Sequence, residues 1–267
     1  MDPVENRPTV DSTVAHPARR YNYWLGGKDN FKADRESADA IEAIYPYVRV
    51  SAIQNRLFLQ RVVRYLAQEA GIRQFLDIGT GLPTADNTHE VAQAIDPTAR
   101  IVYVDNDPLV LVHARALLTS DPRGRTAYVD ADLRTPERIL ADADLTGTLT
   151  FDEPIALLLI AVLHFIPDTE QAYAIVRTLT NALAPGSYLA ISHGTGDYLP
   201  RGTAEALSTR GYDFTLRSRA QIERFFDGFD LVPPGVEVVS RWRNPDSDTP
   251  PLEEVAGYGA LGRKPLG

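Results

Sequence analysis

Between residues 74 and 192 the chain switches repeatedly between short apolar runs and stretches of helical period. Residues 74–79, 100–105, 125–130, 154–160 and 187–192 read as buried strands. Residues 88–95, 108–118, 136–141 and 169–183 read as the helices between them. Strands that alternate with helices at this spacing predict an α/β fold with a doubly wound, mostly parallel sheet. The rhythm changes towards the end. After a helix near 219–227, residues 229–232, the Pro233-Pro234-Gly235 turn, 236–242 and 258–264 suggest a strand pair at the edge. That makes a seven-stranded sheet with an antiparallel edge strand.

The first third of the chain is different. Residues 1–18 are polar, contain three prolines and read as a flexible leader. Residues 33–44 and 51–70 carry helical spacing, with Leu57, Val62 and Leu66 on one stripe and Phe58 and Val63 alongside. Ser51 suits an N-cap, Gly71 a C-cap, and Tyr45-Pro46 ends the earlier helix. The expected organisation is therefore a leader (1–18), an N-terminal helical cap or lid (19–72) and a ligand-binding α/β domain (73–267).

Composition narrows the function classes. No apolar run approaches the ~18 residues that a membrane span needs. The N-terminus lacks the charged and apolar regions of a secretory signal. With no cysteine, there is no disulfide, thiolate nucleophile or zinc–thiolate site. A cytoplasmic protein is the economical expectation. The formal charge of −9 disfavours a nucleic-acid backbone as the main partner. His16, His89 and His113 are scattered without metal-ligand spacing, so no metal is expected.

The chemistry centres on the first strand–helix turn, Phe75-Leu-Asp77-Ile-Gly79-Thr80-Gly81-Leu-Pro83-Thr84. Glycines there let the backbone approach a ligand. A lone Gly-x-Gly also suits NAD or FAD, but two details favour S-adenosylmethionine (SAM). Asp77, two residues before Gly79, can meet an ammonium group. The third glycine of a dinucleotide fingerprint, which packs helix against strand at a pyrophosphate turn, is replaced by Thr84. Asp105, ending the second strand, stands where an acidic residue accepts from ribose hydroxyls. Asp132, after the third strand, could meet an adenine amino group. Thr80, Asn106 and Leu133 flank these positions and complete the candidate cofactor set. Asp105 and Asp107 also suit a turn or helix cap.

Four separated motifs occur in order: Tyr21–Phe31, Gln74–Thr84, Val102–Pro108 and Ala161–Pro167. Together they resemble an actinobacterial SAM-dependent methyltransferase family long catalogued as a domain of unknown function, over residues 18–264. The resemblance implies a class I, Rossmann-like fold with Gly79, Gly81 and Asp105 at the cofactor and S-adenosylhomocysteine (SAH) as product. It implies no particular acceptor. The Gly-Leu-Pro-Thr turn is also similar to the first motif of leucine carboxyl and related O-methyltransferases, which inclines the expected target atom towards oxygen rather than nitrogen.

On the acceptor side, Tyr21, Tyr23 and Trp24 read either as a lid over the cofactor, with Gly26 and Gly27 as its hinge, or as aromatics packed on the core. Lys28 or Arg56 could pair with the methionine carboxylate, or be solvated. His164, after the fourth strand, could be a general base or shape the pocket, and His193, after the fifth, is a second candidate. The expected function is methyl transfer from SAM to an oxygen or nitrogen of a small-molecule acceptor. The alternatives are a SAM-binding sensor without turnover and, less favoured, an NAD-dependent oxidoreductase. Oligomeric state is not legible.

Overall fold

The computed structural model describes residues 10–117, 120–210, 212 and 214–266. The chain opens with three helices, α1 (Pro17–Trp24), α2 (Lys32–Glu42) and α3 (Val48–Gln68). The alternating part follows as β1 (Gln74–Ile78), α4 (Thr88–Ile95), β2 (Arg100–Asp105), α5 (Pro108–Leu117) and β3 (Arg125–Asp130). It continues through α6 (Pro136–Leu140), α7 (Ala143–Thr146), β4 (Ala156–Ile160), α8 (Thr169–Asn181) and β5 (Tyr188–Gly194). The last part holds α9 (Thr203–Thr209), α10 (Arg219–Glu223), β6 (Asp230–Leu231), β7 (Glu237–Val238), α11 (Leu252–Val255) and β8 (Gly257–Arg263). The expected end of α5 at residue 118 lies outside the described residues.

The strands β1 to β5 are parallel neighbours in the order β3-β2-β1-β4-β5, and β8 then runs antiparallel beside β5. The sheet is the mostly parallel, doubly wound one expected. The edge differs in detail. β6 and β7 do not pair with each other; each pairs with β8, at opposite ends of its outer side. The antiparallel strand thus lies one place in from the edge, which two short pieces cover. Pro233 and Pro234 lie between those pieces, where missing N–H groups leave the ladder interrupted.

β1 is buried along its whole length and lies between β2 and β4, with Asp77 opposite Tyr103 and Leu158. The chain winds one way from β1 to β3 and the other way from β4 onward. The crevice at this switch, beyond the strands' carboxyl ends, is where such sheets bind ligands.

α3 is part of the same core. Phe58, Leu59, Val62, Val63 and Leu66 are buried with the strands, and Phe58 meets the fully buried Trp242 edge-on, ring centres 5.4 Å apart. Ser51 is not the N-cap. It lies inside α3, which starts at Val48, and its hydroxyl donates to the Val255 carbonyl. Gly71 has the left-handed φ of +69° that ends a helix. Among the described residues, no helix is long and apolar enough to cross a membrane.

Candidate active site

A cavity of about 500 Å³ opens at the switch point. Its floor is the carboxyl ends of the strands, and α1 with the start of α3 supplies part of its wall. All eight candidate cofactor residues, Asp77, Gly79, Thr80, Gly81, Asp105, Asn106, Asp132 and Leu133, line it. The two glycines take φ of +76° and +67°. A Cβ on Gly79 would come within 2.4 Å of Val162 Cγ2. A left-handed alanine costs about 1–2 kcal/mol, and overpacking about 1–3 kcal/mol more. Gly79→Ala is therefore expected to lower stability by about 2–5 kcal/mol, read as an earlier denaturant midpoint.

The acidic residues are differently held. Asp77 is 4% exposed and accepts a hydrogen bond from the Thr88 hydroxyl at 2.7 Å. Burial pushes its carboxyl up to about 6, against the opposing hydrogen bond from Thr88 and the Arg56 charge. Asp105, 6% exposed, accepts the Gly81 N–H at 2.8 Å on one oxygen and the Asp107 N–H at 2.9 Å on the other. Burial raises its pKa as well, despite those bonds. Asp132 accepts from Asn106 and Arg134, and their bonds outweigh burial to lower its pKa. Asp77 and Asp105 thus place two buried acceptor groups beside the glycine turn.

The start of α4 does not offer itself to a phosphate. It comes only after the loop 80–87, which Arg56 braces through the Ala85 and Asp86 carbonyls and Asn87 Oδ1. Glu90 accepts the Asn87 N–H, and the buried Tyr103 hydroxyl takes the His89 N–H. A dinucleotide's pyrophosphate would meet the Glu90 carboxylate and occupied donors at this helix start, where it needs free amides.

α1 is not legible as a helix in the sequence, and it locks onto the loop after β2. Arg19 Nε donates to Asp107 Oδ2 at 2.9 Å, and His16 Nδ1 lies 3.1 Å from the same oxygen. Burial alone would raise Asp107, but the bonds from His16 and Arg19 bring it down to about 2. Asp34 accepts the N–H groups of His16 and Phe31, tying α2 in. Sequence reasoning missed His16, Arg19 and Arg20. Asp107 also keeps the cap geometry expected of it, accepting the Leu109 N–H.

The aromatic segment splits. Tyr21 and Trp24 line the cavity; Tyr23, Gly27 and Lys28 do not. Tyr21 donates to the Ala52 carbonyl and accepts from Asn55, which in turn accepts from Ser192. Tyr23 instead stacks under Arg49 and bonds Asp39, away from the cavity. Gly27 is required by close approach, since a Cβ there would overlap the Asn22 amide. Lys28 is exposed on the surface.

Both candidate histidines line the cavity, but they differ in what they can do. His193 has no lone pair to offer. Its Nδ1 lies 2.8 Å from the Gly194 carbonyl and must carry the proton, while Nε2 accepts from Arg217 at 2.8 Å. The expectation of a base at His193 is corrected: it positions Arg217. His164 has a buried Nδ1 without a partner. Burial, then the charges of Arg217 and Arg20, push it down to about 3, so it is neutral at physiological pH and a weak base.

Comparison with known proteins decides the family. The family model described as S-adenosyl methyltransferase matches residues 3–265. The chain belongs to that family. It is a SAM-dependent methyltransferase, which displaces the NAD-dependent reading and favours an enzyme over a sensor. The methyltransferase is 46% identical to a DUF574 family protein from Streptomyces avermitilis, with a TM-score of 0.91 over 96% of this chain and 100% of that one. It is 43% identical to a protein of Thermobifida fusca provisionally assigned as a methyltransferase, with a TM-score of 0.88 over 98% and 99%. Magnesium protoporphyrin IX methyltransferase from Synechocystis, solved with SAH, has a TM-score of 0.53 over 92% of each chain at 14% identity, a likeness of fold. No curated protein matches the methyltransferase.

Proposed function

We propose that this methyltransferase moves the methyl group of SAM to an oxygen or nitrogen of a small molecule bound beneath α1 and α3. One observation carries the reading: the acidic strand ends at Asp77, Asp105 and Asp132 and a largely apolar second end share a cavity walled in part by α1 and α3. SAM supplies an electrophilic methyl group on a sulfonium. Asp77 would face its ammonium, Asp105 its ribose hydroxyls, and Asp132 with Leu133 its adenine. Arg56, beside Asp77 in the wall, would face the methionine carboxylate.

Transfer by in-line displacement needs alignment and the exclusion of water more than acid–base help. Trp24 and Tyr21 from the helical cap, residues 19–72, would supply the cover. The α1 network through Arg19, Asp107 and Asp34 would hold that cover against the cofactor loop. A cavity of this volume encloses small ligands, not a polymer laid along a surface.

The test is incubation with SAM and pooled small molecules, peptides or nucleic acids, following SAH release and methylated masses. Small-molecule methylation supports the reading. Methylation of a polymer, or SAM binding with no turnover on any pool, contradicts it.

A further inference from the structure

The His164 ring stands where the two ends of the cavity join. Two residues before it, Val162 packs so close to Gly79 of the cofactor turn that a Cβ on that glycine would overlap it. Phe165 and Phe214 flank the imidazole, their ring centres 4.3 and 6.3 Å from its own. The Thr215 N–H donates to the His164 carbonyl at 2.7 Å, which clasps the backbone. The ring lines the cavity and is neutral at physiological pH, so one of its two nitrogens carries a proton and the other a lone pair.

The surroundings decide which nitrogen is which. Nδ1 is buried within the protein and has no hydrogen-bond partner. Nε2, at the tip of the ring, is neither sealed in this way nor bonded to a described residue. Orphaned N–H groups are rarer in protein interiors than under-satisfied lone pairs, which assigns the lone pair to Nδ1. Arg217 acts in the same direction. It is 1% exposed, does not line the cavity, and its charge reaches the His164 ring from behind the wall. His193, its ring at right angles 5.6 Å away, accepts from Arg217 and keeps the cation on that side. A cation there favours a lone pair on the protein-facing nitrogen. The proton therefore sits on Nε2, an N–H donor facing the cavity.

A donor in that place selects what it meets. It needs a lone pair, and an ammonium group has only protons to give. A hydroxyl offers a lone pair but must also place its own proton. A carbonyl oxygen asks for a donor and nothing else, and the rings of Phe165 and Phe214 suit an apolar body around it.

We infer that His164 is a hydrogen-bond donor and not a base, and that the acceptor is an apolar small molecule whose carbonyl oxygen it holds. The inference rests on the methyl-transfer reading and adds a substrate class to it. His164 fixes one oxygen of the acceptor, and the methylated atom is a different oxygen or nitrogen of the same molecule. Specificity then lies in the match between the Nε2–H group and that carbonyl.

The test is calorimetric titration of the SAH complex with shape-matched probes: acetophenone, α-methylstyrene and 1-phenylethanol, then 2-acetylnaphthalene, 2-isopropenylnaphthalene and 1-(2-naphthyl)ethanol. The expected result is ketone binding at least about fivefold tighter than that of the alkene, with the alcohol between them. His164→Phe keeps a ring, loses the donor and removes the preference. His164→Gln has an N–H and no basic nitrogen, and keeps part of it. In nitrogen-15 spectra of the histidine rings, His164 shows the Nε2–H tautomer, and that proton moves downfield with the ketone and not with the alkene. Equal binding of ketone and alkene, no binding of any probe, a preference retained in His164→Phe or lost in His164→Gln, or the Nδ1–H tautomer overturns the inference. If His164→Phe fails to fold, the wild-type titrations and the tautomer still decide. A wild-type protein that binds no SAH defeats the methyl-transfer reading itself, a failure distinct from the loss of ketone preference.

Discussion

Asp105→Ala is expected to weaken binding of both SAM and SAH by at least about a hundredfold. In the proposed complex the carboxylate accepts from the ribose hydroxyls, and hydrogen bonds to a charged group contribute about 1.5–3 kcal/mol each. Loss of two is about 3–6 kcal/mol, and each 1.4 kcal/mol is about a tenfold change in affinity. A second effect adds to this. The same carboxylate fixes the Gly81 and Asp107 N–H groups, so the alanine variant also frees the glycine turn from the end of β2. Asp105→Asn keeps one acceptor oxygen and should lose less. Calorimetric titration of the three proteins checks the order wild type, Asn, Ala; a loss below fivefold in Ala would remove Asp105 from the cofactor site.

Acid should weaken SAM binding through Asp77. The groups facing it are Thr88, Thr80, Arg56 and Asp105. In the free protein its pKa is raised from 3.8 to about 6. Because the folded value is raised, stability from this group is fully present below pH 3.8 and is lost as pH rises through about 6. The ammonium of SAM reverses the preference, since it needs the ionised carboxylate. Below about pH 6 binding must therefore expel a proton, and affinity should fall tenfold per pH unit. Asp77→Asn should bind more weakly at pH 7.5 and show a flat profile from pH 7.5 to 5. A wild-type affinity unchanged over that range would show that Asp77 does not meet the ammonium group.

The sequence revealed the parts of the fold in which local pattern and tertiary role coincide. Strands β1 to β5 lie within about two residues of their expected bounds, because central parallel strands are buried on both faces and read as apolar runs. The carboxylate trio was legible for a related reason. Strand ends converge in this topology, so residues far apart in sequence could be placed at one crevice. α1 failed the same test. Its buried residues are Arg19, Arg20 and Asn22, so hydrophobic periodicity has nothing to detect. Its start, with Pro17 at the first helical turn after His16, was the available signal.

Side-chain roles were less accessible than positions. His193 stands at the strand end where it was expected, yet Arg217, 24 residues later, takes its lone pair. The partnership of Arg19 with Asp107 spans 88 residues. No local pattern reports such contacts, and they separate a base from a positioning residue. Pro233-Pro234-Gly235 read as a reversal between paired strands. The pairing shows a short interruption in one edge that follows β8.

The most direct test of the account is calorimetric titration of the wild-type protein with SAM, SAH and NAD at pH 7.5. The account predicts micromolar, one-to-one binding of SAM and SAH and no heat from NAD. Binding of NAD, or of none of the three, would contradict it.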